Sequence, residues 1–284
     1  MIKVESVSYK YDTLGKEVLK NVSFQIDKGA YIGLIGPNGC GKTTLLKHLN
    51  ALLLPSEGHV SVDGFDTKDS GAVQEIRQRV GMIFQNPDNQ IVGMSVEEDV
   101  AFGPGNLNLA PDEIRRRVQS ALATVGLEAC AKRPPHTLSG GEKQLVALAG
   151  VLAMNPSYIA LDEPTSFLDP SSRKKVLDVI RTLNDQGITM IHVTHDMDEI
   201  IHADQVIVLE GGEIRSCGRP RTVLTKFEWL SQLGLESPKV TELMGRFNRI
   251  RSEIRQDILT VDEAFEEISS FLIRKRSSNL QTGR

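Results

Sequence analysis

The sequence lacks the features that would tie it to a bilayer core, a nucleic acid or an oxidising compartment. No run of 18 apolar residues occurs in its 284 residues, which argues against a membrane-spanning helix. The net charge of −4 leaves no basic footprint for nucleic acid. Three widely spaced cysteines (Cys40, Cys130 and Cys217) offer neither a disulfide framework nor a zinc site. Residues 1–5 begin as a strand without an apolar signal segment. From the cysteines we expect a reducing compartment, and from the charge no nucleic-acid partner.

A glycine-rich segment follows the apolar run 31–35. Residues 36–44 read Gly-Pro-Asn-Gly-Cys-Gly-Lys-Thr-Thr, which is a complete phosphate-binding loop between a strand and a helix. Its glycines let successive N–H groups converge on a phosphate, and the helix start adds its dipole. Lys42 supplies a cation for the β and γ phosphates, and the Thr43 hydroxyl is a ligand for Mg²⁺. The predicted nucleotide-binding residues of this loop are Gly36, Pro37, Asn38, Gly39, Cys40, Gly41, Lys42, Thr43 and Thr44.

A second nucleotide element is the apolar run 158–161, which is followed by Asp162 and Glu163. A carboxylate at the end of a strand beside the phosphate loop can hold Mg²⁺ directly or through water. Glu163 is suited to accept a proton from an attacking water. Helix capping is the alternative for an isolated acidic pair, but the complete phosphate loop upstream favours the catalytic interpretation.

Two further polar residues come at the ends of predicted strands. His195 ends the next buried strand, at the edge where α/β sheets bind ligands. Gln85 follows the run 80–84, and its amide is expected to contact Mg²⁺ or the attacking water. The alternatives are a structural histidine and an ordinary turn glutamine. His192, inside the strand before His195, is expected to be structural.

Residues 138–142 (Leu-Ser-Gly-Gly-Glu) open another helix, with Ser139 near its N-cap. Gly140 and Gly141 expose backbone N–H groups, so this is a second anion-binding helix start. One chain cannot readily aim both elements at one phosphate tail, whereas a head-to-tail dimer can. Each site would then combine a phosphate loop from one subunit with a Ser139 turn from the other. An ordinary capped helix is the alternative.

The alternation of apolar strands with helices predicts an α/β fold with a largely parallel sheet covered on both faces. Early strands at 2–9 and 17–27 and a hairpin at 205–216 make the sheet structure mixed. Helices are predicted at 43–54, 112–125, 140–154 and 170–185, from about Met197, and in the C-terminal part at 222–233, 239–250 and 261–273. The C-terminal helices carry no catalytic group, so they pack on their own domain or contact a partner. Residues 277–284 are expected to be a frayed tail.

Taken in order, these motifs resemble the nucleotide-binding subunit of ATP-binding-cassette transporters, over about residues 1–218. The matching set is 36–43, Gln85, 138–142, 162–163, 166–169 and His195. The resemblance implies a P-loop NTPase cassette with a mixed, mainly parallel sheet core and an antiparallel β subdomain. It also implies a helical signature subdomain at about 86–156 and a small helical appendix at 219–276. The implied activity is ATP hydrolysis, with ATP bound together with Mg²⁺.

The resemblance assigns roles to individual residues. Tyr11 matches the aromatic residue that stacks on adenine, with Tyr9 as the competing choice, and Asp169 matches the loop that couples the two sites. The implied catalytic residues are Glu163, His195 as γ-phosphate sensor, and Lys42. The implied metal ligands are Thr43, Gln85 and Asp162. The residues implied to close on the γ-phosphate from the opposing subunit are Ser139, Gly140, Gly141 and Glu142.

A narrower resemblance rests on residues 84–91 and 96–104. These segments look like the energy-coupling-factor ATPases, the cytoplasmic motors of vitamin and cobalt/nickel importers. That group implies a peripheral protein on the cytoplasmic face of the cell membrane. Its implied partners are a second ATPase subunit, as a homodimer or related heterodimer, a transmembrane coupling subunit and a substrate-binding membrane subunit. In that group the appendix helps the ATPases to dimerise.

The chain departs from the group's pattern at three positions. Gly105 stands where glutamate is usual, Leu145 where arginine is common, and Glu142 where glutamine is common. The first two are expected to weaken ion pairs at the membrane-facing surface, while the phosphate, metal and water ligands all remain. There are three alternatives: a soluble cassette ATPase of repair or translation, a non-hydrolysing nucleotide-gated module, and an unrelated kinase or GTPase. The last of these does not explain residues 138–142.

Overall fold

The strands of this computed structural model form two sheets. The structure describes residues 1–12 and 15–282, and side chains are described as far as Arg274. In chain order the strands are β1 (Ile2–Tyr9), β2 (Leu19–Ile26), β3 (Tyr31–Ile35), β4 (Glu57–Val62), β5 (Phe65–Asp66), β6 (Val80–Ile83), β7 (Tyr158–Asp162), β8 (Thr189–Val193), β9 (Gln205–Glu210) and β10 (Glu213–Gly218).

The larger sheet has the order β10-β9-β3-β8-β7-β6. Its inner pairings are parallel, and only the β9–β10 hairpin at its edge is antiparallel. The smaller sheet, in the order β2-β1-β4-β5, is antiparallel throughout. The predicted α/β fold, with a mainly parallel core and an antiparallel β subdomain, is confirmed. Because parallel strands share one direction, the loops after β3, β7 and β8 meet at one edge of the sheet.

The helices have bounds that follow local signals. In chain order they are α1 (Lys42–Leu49), α2 (Val73–Arg79), α3 (Val96–Asn106), α4 (Pro111–Val125), α5 (Gly140–Ala153), α6 (Pro170–Asp185), α7 (Pro220–Leu224), α8 (Phe227–Gln232), α9 (Lys239–Ile250) and α10 (Val261–Thr282). α4 begins with Pro111 and ends at Gly126, which has a φ of 71°. α6 is capped by Asp169, which precedes Pro170.

Buried apolar side chains cover both faces of the larger sheet. One cluster joins this sheet to the antiparallel sheet and to α1. The other joins its opposite face to α3–α6 and also takes in Val223, Leu224 and Leu230 of α7 and α8. α9 and α10 share a small separate cluster built from Met244, Ile254, Ile258 and Ala264. The first part of the appendix therefore packs on the cassette, and the second part has a core of its own.

Several helix predictions differ from the structure. α1 ends at Leu49 instead of residue 54, because Ala51 takes a left-handed conformation with a φ of 55°. The helix expected from Met197 is a single 3₁₀ turn, Met197–Glu199. The predicted helix 222–233 is two short helices, α7 and α8. α2 and α3 were not predicted individually.

The C-terminal helix and two of the departing residues, Leu145 and Gly105, also bear on expectations from the sequence. α10 continues to Thr282, through most of the stretch 277–284 that was expected to fray, and residues 283–284 lie outside the described residues. Leu145 is 7% exposed in the main core, and the weakening of ion pairs expected from its replacing an arginine stays a prediction. A Cβ at Gly105 would meet no described atom within 4 Å.

Candidate active site

The phosphate loop connects β3 to α1 and is held against neighbouring backbone. A Cβ at Gly36 would lie 2.1 Å from the carbonyl oxygen of Leu209, so only glycine fits there. Gly41 is the N-cap of α1 with a φ of 108°, in the left-handed region that favours glycine. Having no side chain, Gly41 cannot cap the first turn itself. The N–H groups of that turn are therefore suited to an anionic ligand.

The loop lysine is held within the loop. Lys42 is 7% exposed, and its Nζ donates to the carbonyl oxygens of Gly36 (2.7 Å) and Pro37 (3.1 Å). Cys40 is also buried, and burial raises the pKa of its thiol. It therefore behaves as a small apolar residue of the loop. Asn38, Gly39 and Thr43 are exposed, while Thr44 is buried.

Thr43 and Asp162 meet across the loop. The Thr43 hydroxyl donates to Asp162 Oδ2 at 2.7 Å, and Asp162 is the last residue of β7. Burial raises the pKa of Asp162, and the neighbouring Glu163 adds to this, whereas the hydrogen bond from Thr43 opposes it. A nearby cation would favour the charged carboxylate. The two residues thus bring together oxygen atoms of the kind that Mg²⁺ prefers.

Three loops converge on Glu163. Its Oε1 lies 2.7 Å from His195 Nε2, and its Oε2 accepts hydrogen bonds from Gln85 Nε2 (2.9 Å) and from the Ser166 hydroxyl (2.8 Å). Glu163 has a φ of 49°, which is unusual for a residue with a Cβ. Such strained backbone is found often at functional sites. Sequence reasoning singled out His195 and Gln85, and it placed Ser166 in the motif 166–169 without predicting its contact with Glu163.

The exposed aromatic near the phosphate loop is Tyr11. Its side chain is 58% exposed, and its hydroxyl lies 3.0 Å from Thr44 Oγ1. Tyr9 instead packs edge-on against His48 and Tyr11, with ring centroids 4.7 Å and 5.1 Å apart. Of the two tyrosines considered for stacking on adenine, Tyr11 is the more exposed.

The Ser139 turn is completed by its own side chains. Ser139 Oγ accepts from the Glu142 N–H at 3.3 Å, and Glu142 Oε2 accepts from the Ser139 N–H at 2.7 Å, which is a capping box. The backbone hydrogen bond from Ser139 lowers the pKa of Glu142. In this structure Glu142 therefore caps α5. Gly141 is buried, and a Cβ there would meet the Ser172 side chain at 2.5 Å.

The Ser139 turn and the phosphate loop are separate within the described residues. No hydrogen bond or ion pair given for this part of the chain joins 138–142 to 36–44. The start of α5 instead borders a cavity of about 320 Å³ that is lined by Gln85, Gly140, Lys143 and Phe167, among others. Lys143 also pairs with Asp88 at 2.7 Å. The Ser139 turn therefore lies beside the Gln85 loop.

Asp169 caps α6. Its side chain accepts from the N–H groups of Ser171 (2.9 Å) and Ser172 (3.1 Å). A hydrogen bond from the Ser172 side chain, followed by these backbone bonds, lowers the pKa of Asp169. The segment from Ser166 to Asp169 is largely exposed, with Phe167 74% exposed. This segment is the loop that the sequence associates with coupling between sites.

Comparison with known proteins identifies the family. A family model described as ABC transporter matches residues 19–166. The chain belongs to the ABC transporter family. This ABC protein is an ATP-binding ATPase of the cassette fold, as the motifs indicated.

The relatives of this ABC protein extend over nearly its whole length. It is 53% identical to the cobalt import ATP-binding protein CbiO of Syntrophus aciditrophicus (strain SB), over 95% of this chain and 97% of that protein. It is 49% identical to the energy-coupling factor transporter ATP-binding protein EcfA1 of Caldanaerobacter subterraneus subsp. tengcongensis, over 94% of this chain and 98% of that protein.

Two solved structures are similar to this ABC protein. CbiO1 from Clostridium perfringens, part of the ABC transporter complex cbiONQ, has a TM-score of 0.74 and 37% identity, over 86% of this chain and 98% of that one. The dimeric ATP-binding cassette MJ0796 bound to ADP and Pi has a TM-score of 0.69 and 32% identity, over 78% of this chain and 99% of that one. Within its own described residues, this ABC protein contains no helix that is long and apolar enough to cross a membrane.

Proposed function

We propose that this chain is the ATP-hydrolysing subunit of an energy-coupling-factor-type importer. It powers the uptake of a vitamin or a transition-metal ion through separate membrane subunits. The observation that carries this proposal is the similarity to the CbiO and EcfA1 proteins, which spans both the cassette and the helical appendix. The site geometry is consistent with hydrolysis, because Lys42, Asp162, Glu163 and His195 are all present and held in place.

The chemistry is assigned to groups at one edge of the sheet. Lys42 and the N–H groups at the start of α1 bind the β and γ phosphates. Glu163 orients the attacking water and takes its proton. His195, 2.7 Å from Glu163 in this structure, stabilises the charge that develops on the transferred phosphoryl group. Tyr11 stacks on the adenine.

The residues present fit a bound Mg²⁺. Thr43 supplies a hydroxyl, Asp162 a carboxylate and Gln85 an amide, all of them oxygen donors suited to this ion. No group of three His, Cys, Asp or Glu side chains that could hold a metal occurs among the described residues. The set of Thr43, Asp162 and Gln85 contains one carboxylate, which suits Mg²⁺, because this ion is usually held by one or two carboxylates, waters and nucleotide phosphates. When bound, the ion neutralises charge on the phosphates.

A complete site is proposed to need two subunits. The phosphate loop of one subunit faces the Ser139 turn of the other, where Ser139, Gly140 and Gly141 reach the γ-phosphate and Glu142 supports them as a cap. The separation of the two elements within one chain supports this arrangement, as does the similarity to a dimeric cassette. ATP then stabilises the dimer, and hydrolysis releases it. Asp169 lies in the loop that connects the two sites.

Two defective variants test the shared site. Lys42→Ala damages the phosphate loop, and Gly140→Asp places a carboxylate at the Ser139 turn, where a Cβ has room 3.6 Å from Leu168. A dimer that contains one copy of each variant has one doubly damaged site and one intact site. We therefore expect a mixture of the two inactive proteins to regain ATP hydrolysis.

The control for this mixture is Gly105→Asp, which adds the same charge on α3 in open space. This variant should hydrolyse ATP normally. If the mixture stays as inactive as each variant alone while both bind subunits normally, two copies of this chain do not share a site. A related second ATPase would then be the partner to seek among co-purifying proteins.

The membrane partner is proposed to dock on the segment 85–104. This segment exposes apolar side chains at Val92 (64%), Met94 (83%) and Phe102 (59%), next to Gln85. Helices of the transmembrane coupling subunit would contact it, so that the protein sits peripherally on the cytoplasmic face of the membrane. α9 and α10 expose a further apolar set that suits pairing with the second ATPase: Leu243, Phe247, Ile250, Val261, Phe265 and Leu272.

Reconstitution tests the transport role. The native complex would be purified through this chain, its membrane subunits identified, and the complex placed in lipid vesicles. Uptake of cobalt, nickel or a vitamin would then be measured with and without ATP. We expect ATP-dependent uptake of one of these substrates, and none from the complex carrying Glu163→Gln. A chain that co-purifies with no membrane subunit and hydrolyses ATP alone would contradict the importer role.

A further inference from the structure

A buried polar cluster adjoins the Glu163 and His195 loops. This Glu199 cluster consists of Glu199, Thr165, Arg173, Thr194 and His192. The Glu199 side chain is 1% exposed. Its Oε1 accepts from the Thr165 hydroxyl (2.5 Å) and Arg173 Nε (2.8 Å). Its Oε2 accepts from the Thr194 hydroxyl (2.5 Å) and lies 3.3 Å from His192 Nε2. Both oxygens of one buried carboxylate are therefore occupied.

The partners of Glu199 come from different parts of the active site. Thr165 stands two residues after Glu163, and Thr194 stands directly before His195. Arg173 lies in the first turn of α6, the helix that Asp169 caps. One side chain thus connects the loop after β7, the loop after β8 and the start of α6.

Arg173 strengthens the connection to the His195 loop. Besides Glu199, its guanidinium binds the carboxylate of Asp196, the residue after His195. Thr194 Oγ1 also accepts from the Asp196 N–H at 3.0 Å. The residues on both sides of His195 are therefore tied to Glu199, directly or through Arg173.

Glu199 stays charged although burial disfavours a charged carboxylate. Burial by itself disfavours a carboxylate, yet contacts with His192, Thr165 and Thr194 lower the pKa of Glu199 to about 2. A buried ion pair is often no more stabilising than an apolar group of similar volume. The hydrogen bonds to Glu199 are directional, however, so they favour one arrangement of the segments that they join.

On the basis of the ATPase site proposed above, we propose that Glu199 is a positioning residue for hydrolysis. It holds the His195 loop and the Glu163 loop in the register that brings His195 Nε2 to Glu163. Because Arg173 belongs to α6, Glu199 also connects His195 to the Asp169 end of that helix. Glu199 does not contact the nucleotide in this role and acts through His195.

Two substitutions of Thr194 separate positioning from packing. Thr194→Val keeps the shape of the side chain and removes its hydrogen bond to Glu199, whereas Thr194→Ser keeps the hydrogen bond and removes a methyl group. If Thr194 acts by positioning His195, Val lowers kcat about tenfold or more with little change in the KM for ATP, and Ser stays near the wild type. If Thr194 only fills space, Val is the milder change.

Thr241→Val is the matched control. Thr241 is fully buried, and its hydroxyl donates to the Ile258 carbonyl oxygen at 2.6 Å in the appendix, outside the Glu199 cluster. It should lower the melting temperature about as much as Thr194→Val and leave kcat unchanged. Equal kcat losses in the two Val variants would mean that general destabilisation is the cause, which overturns the positioning role.

Glu199→Gln provides a second measurement, since its amide offers one acceptor oxygen where the carboxylate has two. We expect a folded protein that binds ATP with unchanged affinity and has a kcat lowered about tenfold or more. A folded Glu199→Gln variant with wild-type kcat overturns the inference. His195→Ala separates this failure from that of the proposed site: if it too hydrolyses normally, the assignment of His195 is wrong, and if it is inactive, only the role of Glu199 is wrong.

Discussion

The helix after the phosphate loop and the helix after the Ser139 turn begin in different ways. α1 starts at Gly41, which has no side chain to offer its first turn, and Lys42 follows at once. α5 starts at Ser139, whose hydroxyl and the carboxylate of Glu142 satisfy two N–H groups of the turn. The first helix start leaves its N–H groups for a ligand. At the second helix start, the protein's own side chains already satisfy two of these N–H groups.

This difference assigns the two elements different work. We expect the phosphate loop to bind the triphosphate by itself, because the first turn of α1 has no side-chain cap and Lys42 lies within the loop. The Ser139 turn presents a rigid, capped edge that a nucleotide held by another subunit can meet. We therefore expect changes in the phosphate loop to affect ATP affinity, and changes in the Ser139 turn to affect mainly hydrolysis by the dimer.

The largest effect should come from the group that both elements serve. Glu163→Gln removes the base that takes the proton from water, so hydrolysis should fall at least ~10²-fold while ATP still binds. Because bound ATP then persists, the variant should accumulate as a dimer in ATP, which size-exclusion chromatography can detect. Near-normal hydrolysis would remove Glu163 from its role as the base.

Lys42→Ala should come next and should act on affinity. A charge-assisted hydrogen bond contributes roughly 1.5–3 kcal/mol, so ATP affinity should fall by about one to two orders of magnitude. Gly140→Asp, at the Ser139 turn, should leave ATP binding by the separated chain unchanged. Fluorescent-nucleotide titration measures both, and equal losses of affinity would erase the distinction between the two helix starts.

Ser139→Ala should cause a small loss of folding stability and should also slow ATP hydrolysis. Loss of the N-cap costs about 1 kcal/mol of folding free energy. Ser95 forms the same capping box with Glu98 at the start of α3 and provides the control. Thermal unfolding should show similar losses for Ser139→Ala and Ser95→Ala, and only the former should slow hydrolysis. Equal rates in the two variants would make the Ser139 turn an ordinary cap.

The smallest expected effect concerns pH. The pKa of Glu142 is lowered in the folded protein, chiefly by the backbone hydrogen bond from Ser139. Its contribution to stability is therefore complete above the pKa of an unfolded glutamate and is lost as pH falls through the folded pKa. The first turn of α5 should exchange its amide hydrogens more readily in that acidic range, relative to α1. Glu142→Gln should remove this pH dependence, and its persistence in that variant would assign it to another group.

Local sequence was sufficient for the phosphate loop. Phosphate binding at 36–44 depends on neighbouring glycines, a lysine and a helix start, all of which lie within nine residues of one another. The residues at the strand ends could also be predicted, because Asp162 and His195 each follow an apolar run and parallel strands bring such ends together. The position of Ser139 at the N-cap of a helix was likewise predicted from its residue type, whereas its capping box with Glu142 was not.

The contacts that define the site's geometry could not be predicted from the sequence in this way. Gln85 and Glu163 are 78 positions apart, and only the pairing of β6 beside β7 brings them within hydrogen-bonding distance. The choice between Tyr9 and Tyr11 depended on which ring is covered by His48. Glu199 carries no motif that sequence reasoning recognised, and the role proposed for it rests on two loops and the start of α6 meeting at one buried carboxylate.

For this protein, the residue types and their local spacing were enough to predict the fold class, the binding of ATP and a set of candidate residues for the chemistry. Folding of the whole chain decided which partners those residues have, and no hydrogen bond or ion pair among the described residues joins the Ser139 turn to the phosphate loop. The physical reason is range. Glycine conformations, caps and helix dipoles act within a turn or two, whereas the sheet order and the buried hydrogen bonds of Glu199 join segments distant in sequence.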